Sequence, residues 1–372
     1  ESRLEVPYRA VYQKHDTCMP SSMAAVAAAF DRDLDADGIA ATLTFGGTTD
    51  QRAAEWLEAH GFAVRHFLVD VPTVEALLEA GLPFVLSLLD VATSHAVAVV
   101  GLDRQAGLLT LHDPGQERLA QALLEPLVAE EAPFGPLGLA FVPREREAEL
   151  DRLIQPDLRA LGTALVDHGR AAVNSGPAAS ATVLQELEQS QPHAPLTSYL
   201  RGVQRITEGK VEAGLEILDA LLADHGAKTR TIRAFLDSVS RTRDTVRVRR
   251  RLSAMLDPGL TPGVFAGELW RHPPTPCVAR YADYIGTDAD GFPEAERLLT
   301  RELWRSPLDP EIHHVLADVL SRQERHAESL LPYRIASQLA EATRSPFGPN
   351  STFPVPPFWR ISKTSWWQSR QR

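Results

Sequence analysis

The chain has 372 residues, 44% of them hydrophobic and 23% charged, an ordinary globular composition long enough for two cores. No apolar run approaches the ~20 residues needed to cross a bilayer, and the only two cysteines, Cys18 and Cys277, exclude a disulfide scaffold. The net charge of −11 is unevenly spread: residues 1–147 hold 10 Lys and Arg against 22 Asp and Glu, whereas residues 148–372 hold 28 against 27. An acidic N-terminal half disfavours nucleic acid and anionic membrane as partners and suits a neutral or basic peptide. Free thiols favour the cytoplasm. No signal peptide is recognisable, and a chain that starts at Glu1 rather than Met admits removal of an upstream segment.

In chain order, Leu4 to Tyr12 reads as an extended stretch, with Pro7 confining it to a sheet edge. A helix follows from Cys18 through the Ala-rich run to Phe30, with Pro20 in its first turn,. The acidic segment Asp31 to Gly38 interrupts the pattern, and Ile39 to Leu43 resumes a short helix. Gly46-Gly47-Thr48-Thr49-Asp50 caps a second helix, Gln51 to His60, which Gly61 closes,. Phe62 to Val69 reads as a strand, Pro72 to Ala80 as an amphipathic helix ended by Gly81, and Pro83 to Leu89 as a buried strand. Two adjacent strands follow, Ser94 to Asp103 and Gly107 to Leu111, joined around Arg104 to Gly107. Leu137 to Val142 supplies a last strand. The expected class is therefore α+β, with helices packed on a mostly antiparallel sheet.

The chemistry sits in two separated stretches. In QKHDTCMPSSMAAVAAAF, Gln13 to Phe30, Cys18 falls at a helix start, where unpaired N–H groups and the positive end of the helix dipole favour thiolate, the nucleophilic form. The stretch fits a small buried hydrophobe at a helix start equally well. In SHAVAVVGLD, His95 opens one strand, and the neighbouring strand ends in HDPG, which carries Asp113. An antiparallel pair would set His95 beside Asp113, as a base and its orienting acid require. Singly, the first fits a satisfied strand-end histidine and the second a turn residue. His15, His60 and His66 have no ligand-like spacing with one another or with Cys18, so neither a metal nor a cofactor is expected.

Together, a glutamine, a cysteine at a helix start, small residues after it, a distant HxVxVxG strand and a DP turn resemble the papain-fold cysteine peptidases of the bacteriocin-processing family and their stand-alone bacterial relatives. The likeness spans roughly residues 4 to 143. It implies Cys18 as nucleophile, His95 as general base and acid, Asp113 as orienting residue, and Gln13 as oxyanion donor beside the Cys18 backbone N–H. It further implies that the loop before Gln51 borders a substrate cleft. The family's glutamine stands six residues before the cysteine and is followed by Cys-Gly-Pro; here the separation is five and the sequence reads Cys18-Met19-Pro20. The expected activity is cleavage of a peptide amide through an acyl-thioester. Acyl transfer through the same intermediate, and a catalytically inactive peptide-binding module, are the alternatives.

From Pro143 the texture becomes charged and helical, which places domain boundaries at 1–147, 148–344 and 345–372. Ser198 to Leu221 and His313 to Ala336 align at an offset of 115 residues, pairing Gly202 with Ala317, Gly214 with Ser329, Leu218 with Tyr333 and Leu221 with Ala336. Small residues on facing turns let antiparallel helices approach closely. The pattern resembles degenerate tetratricopeptide repeats, with an insertion placed at Leu260 to Pro276. Such repeats imply a surface for a protein partner or substrate, or a stabilising scaffold. The arginine-rich run Arg241 to Arg251 reads as a solvated face or a docking surface for an acidic partner, Cys277 reads as structural, and the Pro- and aromatic-rich tail, Ser345 to Arg372, reads as a segment that docks in a groove,.

Overall fold

The computed structural model describes residues 2–14, 17–44, 47–89, 94–225, 230–231, 234–235, 278–279, 282–283, 285–287 and 289–343. The Arg241 to Arg251 run, the Leu260 to Pro276 stretch, Cys277 and the tail lie outside these residues. The chain divides into two compact units, Glu1–Arg241 and Thr242–Arg372.

The first unit is built on a seven-stranded sheet in the order β2-β7-β3-β4-β5-β6, with β1 paired to β4 off this path. The strands are β1 (Arg3–Glu5), β2 (Phe62–Leu68), β3 (Phe84–Leu89), β4 (Ser94–Asp103), β5 (Leu108–His112), β6 (Ala120–Leu123) and β7 (Leu137–Pro143). Every pairing is antiparallel. Around the sheet lie α1 (Cys18–Ala27), α2 (Ala36–Leu43), α3 (Asp50–Ala59), α4 (Val71–Glu79), α5 (Leu124–Glu131) and α6 (Glu147–Leu153). Helix α1 packs on β3 and β4, α3 on β2 and β7, α4 on β4, and α6 on β2 and β7. The caps follow local sequence: Thr49 accepts from Arg52 N at 3.3 Å and Asp70 from Thr73 N at 2.9 Å,.

The extended stretch expected over Leu4 to Tyr12 is a strand only as far as Glu5. Pro7 has no N–H to give a ladder. Beyond it the backbone is held by isolated bonds, among them Arg9 N to Ala25 O at 3.3 Å. Gly101 on β4 marks the reason β1 can pair there: a Cβ would lie 2.8 Å from the Leu4 carbonyl oxygen. The register between β4 and β5 also shifts between Val99 and Gly101, a bulge of the kind that bends a strand near its end.

Past residue 147 the described residues are helices and their connecting turns, as the texture change implied, but the compact unit continues. Leu150 of α6 and Ile154 are buried in the same apolar core as β2, β4 and α1. Helices α7 (Pro156–Asn174), α8 (Pro177–Ser190), α9 (Pro195–Thr207) and α10 (Val211–His225) follow. Helix α7 lies against edge strand β2, so closely that a Cβ on Gly162 would be 2.4 Å from the Cα of Phe67. Arg65 of β2 reaches across with hydrogen bonds to Asp151 at 2.8 Å and Glu147 at 2.7 Å; those carboxylates, Asp151 first, hold its guanidinium well above the usual arginine range despite partial burial. Leu68 of β2 is buried against Leu161, Ala164 and Leu165 of α7, so the helix covers the face of the sheet opposite Phe67.

Helices α9 and α10 form a hairpin in which Gly202 and Gly214 meet: a Cβ on Gly214 would lie 2.6 Å from the Gly202 carbonyl oxygen. In the second unit, α11 (Phe292–Arg305) is followed by α12 (Pro310–Arg322) and α13 (His326–Thr343). The α12–α13 turn repeats the α9–α10 turn at an offset of 115 residues. Gly209 N bonds to Ile206 O and Lys210 N to Arg205 O; Glu324 N bonds to Ser321 O and Arg325 N to Leu320 O. Gly209 and Glu324 both have positive φ, 82° and 63°.

Candidate active site

Cys18 is the first residue of α1. Its helix starts there because Thr17 has non-helical backbone angles and spends its hydroxyl on the preceding turn, accepting from Lys14 N at 2.8 Å. Pro20 costs no hydrogen bond in a first turn whose N–H groups have no intrahelical acceptor. No acidic residue occupies that turn, so the positive end of the helix dipole is not neutralised locally. Residues Met19 to Ala27 are buried while Cys18 itself is half-buried, which leaves the sulfur at the rim of the core.

His95 is the second residue of β4, and the β4–β5 ladder runs out at Ala98 opposite His112. Asp113 therefore leaves β5 across from the start of β4, and the His95 Nε2–H donates to Asp113 Oδ1 at 2.7 Å,. The Cys18 side chain lies near enough to the imidazole to help raise its pKa, and with Nε2 committed to Asp113 the ring nitrogen left for proton exchange with sulfur is Nδ1. Burial pulls the His95 pKa down, but the bond to Asp113, the carboxylate's charge and the neighbouring Cys18 side chain outweigh it and push the value up to about 9,.

Asp113 is held from three sides. Besides His95, Gly115 N donates to Oδ1 at 2.8 Å and Gln116 Nε2 to Oδ2 at 2.7 Å. Burial pushes its carboxyl up; the His95 bond, then the Gly115 and Gln116 bonds, bring it below the usual carboxylate range. Gln13 approaches the same turn. Its backbone N donates to Pro114 O at 2.8 Å, and its amide lies over Gly115, where a Cβ would be 3.2 Å from both Gln13 Nε2 and Asp113 Oδ1. Gln13 Oε1 is buried and makes no hydrogen bond.

The four residues singled out in the sequence thus lie around one turn and one helix start. Sequence reasoning missed Gln116, Ser22 and His112. Ser22 is buried one turn along α1 and donates to Ala96 O at 3.0 Å; a hydroxyl in an alanine-rich buried face was the available signal. His60 stacks on Trp56 with ring centroids 3.7 Å apart. His66 is buried on β2, where desolvation outweighs Asp50 and lowers its pKa. Among the described residues no group of three or more His, Cys, Asp or Glu is placed to hold a metal ion, and no helix is long and apolar enough to cross a membrane.

Residues 3–125 match the model of the Peptidase_C39 like family. The matched stretch contains Cys18, His95 and Asp113, ends before α5 has closed and covers about a third of the chain. Among solved structures, the peptidase domain of Streptococcus ComA, a bi-functional ABC transporter involved in a quorum sensing pathway, is similar at 19% identity, covering 38% of this chain and 98% of that one with a TM-score of 0.31. A point mutant of MamA is similar at 16% identity, covering 50% of this chain and 99% of that one, also with a TM-score of 0.31. No curated protein matches.

Proposed function

We propose that the protein is a cysteine peptidase-like enzyme in which Cys18, His95 and Asp113 form a catalytic triad acting on a peptide amide. The observation that carries this reading is the single imidazole hydrogen-bonded to a carboxylate at 2.7 Å, with a thiol at a helix start close enough to help raise its pKa. Cys18 sulfur attacks the amide carbonyl as thiolate, its proton held on His95. The tetrahedral oxyanion is met by the Cys18 backbone N–H and the Gln13 side-chain amide, a contribution of about 2.7–4 kcal/mol per donor in comparable sites. His95 then protonates the leaving amine, the C–N bond breaks, and the acyl group remains on sulfur as a thioester. Asp113 holds the ring in the tautomer that presents Nδ1 to sulfur and stabilises the imidazolium. Attack of water on the thioester completes hydrolysis; attack of an amine completes acyl transfer.

The helices after residue 147 have two roles in this reading. Helices α6 and α7 complete the core and cover β2, while the α9–α10 and α12–α13 hairpins, with their matching turns, are tetratricopeptide-like units that hold the peptide substrate or a protein partner.

The test is to incubate the protein with a peptide mixture and follow Cys18 by mass spectrometry. A peptide acyl adduct on Cys18 that decays to free acid supports the peptidase; decay to an amide only when an amine is added supports the transferase. Turnover retained by Cys18→Ala would reject the nucleophile, and peptide binding with no adduct would leave a binding module.

A further inference from the structure

The HDPG turn that supplies Asp113 also grips the segment that supplies Gln13. His112 Nε2 lies 3.1 Å from Val11 N and 3.0 Å from Val11 O; two residues on, Pro114 O accepts from Gln13 N at 2.8 Å; and Gly115 leaves the space that the Gln13 amide overlies. Neighbouring residues Ala10 and Tyr12 are exposed, and the backbone of this stretch is tied to β5 and its turn at Val11 and Gln13. His112 is 3% exposed at the end of a strand, a position that an aliphatic or β-branched residue would fill without a polar atom to satisfy. Its ring packs with Tyr8 at 5.4 Å and Tyr12 at 6.0 Å between centroids. Burial keeps it neutral by lowering its pKa, and a neutral imidazole nitrogen either accepts from the Val11 N–H or donates to the Val11 carbonyl.

We propose that His112 is a positioning residue for Gln13: by fixing the Val11 backbone it sets where the Gln13 amide stands relative to a tetrahedral oxyanion formed at Cys18. This rests on the reading of Gln13 as oxyanion donor. A donor is effective only at the place where charge develops, and displacement by about 1 Å costs on the order of 10²-fold in rate.

Two reactions of Cys18 in the full-length protein, each followed by mass spectrometry of the Cys18 peptide, separate this role from a general packing role. With iodoacetamide the thiolate displaces iodide at a saturated carbon: a C–S bond forms, iodide leaves with its electron pair, and no oxyanion arises. With p-nitrophenyl acetate the thiolate adds to a carbonyl, an oxyanion forms and collapses, p-nitrophenolate leaves with the C–O electron pair, and the acetyl group stays on sulfur. His112→Phe keeps a ring between Tyr8 and Tyr12 but cannot hydrogen-bond to Val11. It is expected to lower acetylation on the order of 10²-fold while alkylation, which also reports that the site is folded, is unchanged. His112→Asn restores a donor and an acceptor at Val11 and is expected to recover much of the acetylation rate. Gln13→Ala should show the same split as His112→Phe, and the double variant should be no slower than either. Parallel loss of both reactions in His112→Phe, loss of neither, or no recovery in a His112→Asn protein that alkylates normally would overturn the proposal. If Gln13→Ala leaves acetylation untouched, it is the oxyanion reading of Gln13 that falls; if Gln13→Ala slows acetylation and His112→Phe does not, the positioning role alone falls.

Discussion

Ser22 of α1 donates its hydroxyl to the carbonyl oxygen of Ala96, the residue after His95, at 3.0 Å, and both are buried. The helix that starts with the thiol and the strand that starts with the imidazole are thereby pinned to each other one turn beyond Cys18 and one residue beyond His95. Ser22→Ala is expected to lower the free energy of unfolding by about 1 kcal/mol, the usual net value of one intramolecular hydrogen bond, and to slow alkylation of Cys18 at neutral pH. Denaturant titration and the alkylation rate measured on the same protein check both halves. Lost stability with an unchanged rate would confine Ser22 to packing.

The His95–Asp113 pair makes stability depend on pH in a defined direction. The His95 value is raised from 6.5 to about 9, so its contribution is fully present below pH 6.5 and is lost as pH climbs through about 9,. The Asp113 value is lowered from 3.8, so its contribution is present above that value and is lost as pH falls through the lower folded-state value,. The stability difference between the native protein and His95→Gln should therefore be largest between about pH 4 and 6.5 and shrink towards pH 9. Unfolding midpoints across this range measure it; a difference that grows between pH 6.5 and 9 would contradict the pairing.

Truncation separates the compact unit from the change of texture. A fragment of residues 1–147 loses Leu150 and Ile154 from its core, each worth about 1.5–3 kcal/mol of burial, and uncovers Leu68 and the face of β2 beneath Gly162. Against a total stability of about 5–15 kcal/mol, that fragment is expected to aggregate or unfold without cooperativity, whereas residues 1–241 fold. Circular dichroism melts of the two fragments decide it, and a sharp, native-like transition for residues 1–147 would show that the helices are dispensable to the fold.

The matched turns give a prediction in the second unit. Glu324 holds φ of 63°, where Gly209 stands at 82° in the equivalent turn, and only glycine adopts this region without steric cost. Glu324→Gly should be neutral to stabilising, by up to about 1 kcal/mol, and Gly209→Ala destabilising by a similar amount. Thermal melts of the two variants check the pair. Destabilisation by Glu324→Gly would mean that its side chain makes a compensating contact.

How much of this was legible in the sequence depends on whether the cause was local. Strands β2, β3, β4, β5 and β7 follow from apolar runs bounded by Gly and Pro, and helices α3 and α4 from Thr49 and Pro72 at their starts. Helix α5 and strand β6 were not read, because Ala120–Leu123 is a four-residue edge strand of alternating exposure that resembles a loop. The end of the first compact unit was invisible for a different reason: charged helical sequence after residue 147 looks independent, and what ties it to the sheet, the burial of Leu150 and Ile154, the contact of Gly162 with Phe67 and the ion pairs of Arg65, joins residues far apart in sequence. The meeting of His95 with Asp113 was legible because an antiparallel pair of strands sets the start of one beside the end of the other. His112 and Ser22 were not, since a buried histidine and a helix serine carry no local sign of the backbone carbonyl or amide they meet from 74 and 101 residues away.

The most direct test of the central claim is the rate at which iodoacetamide alkylates Cys18 at neutral pH, resolved from Cys277 by peptide mass spectrometry, in the native protein and in His95→Ala. An unassisted thiol is only a few per cent thiolate near pH 7, so the activated site should lose roughly tenfold or more of its rate when the imidazole is removed, while the rate at Cys277 stays the same. A Cys18 that reacts no faster than Cys277 in the folded protein, and equally in His95→Ala, would contradict a thiol activated by His95.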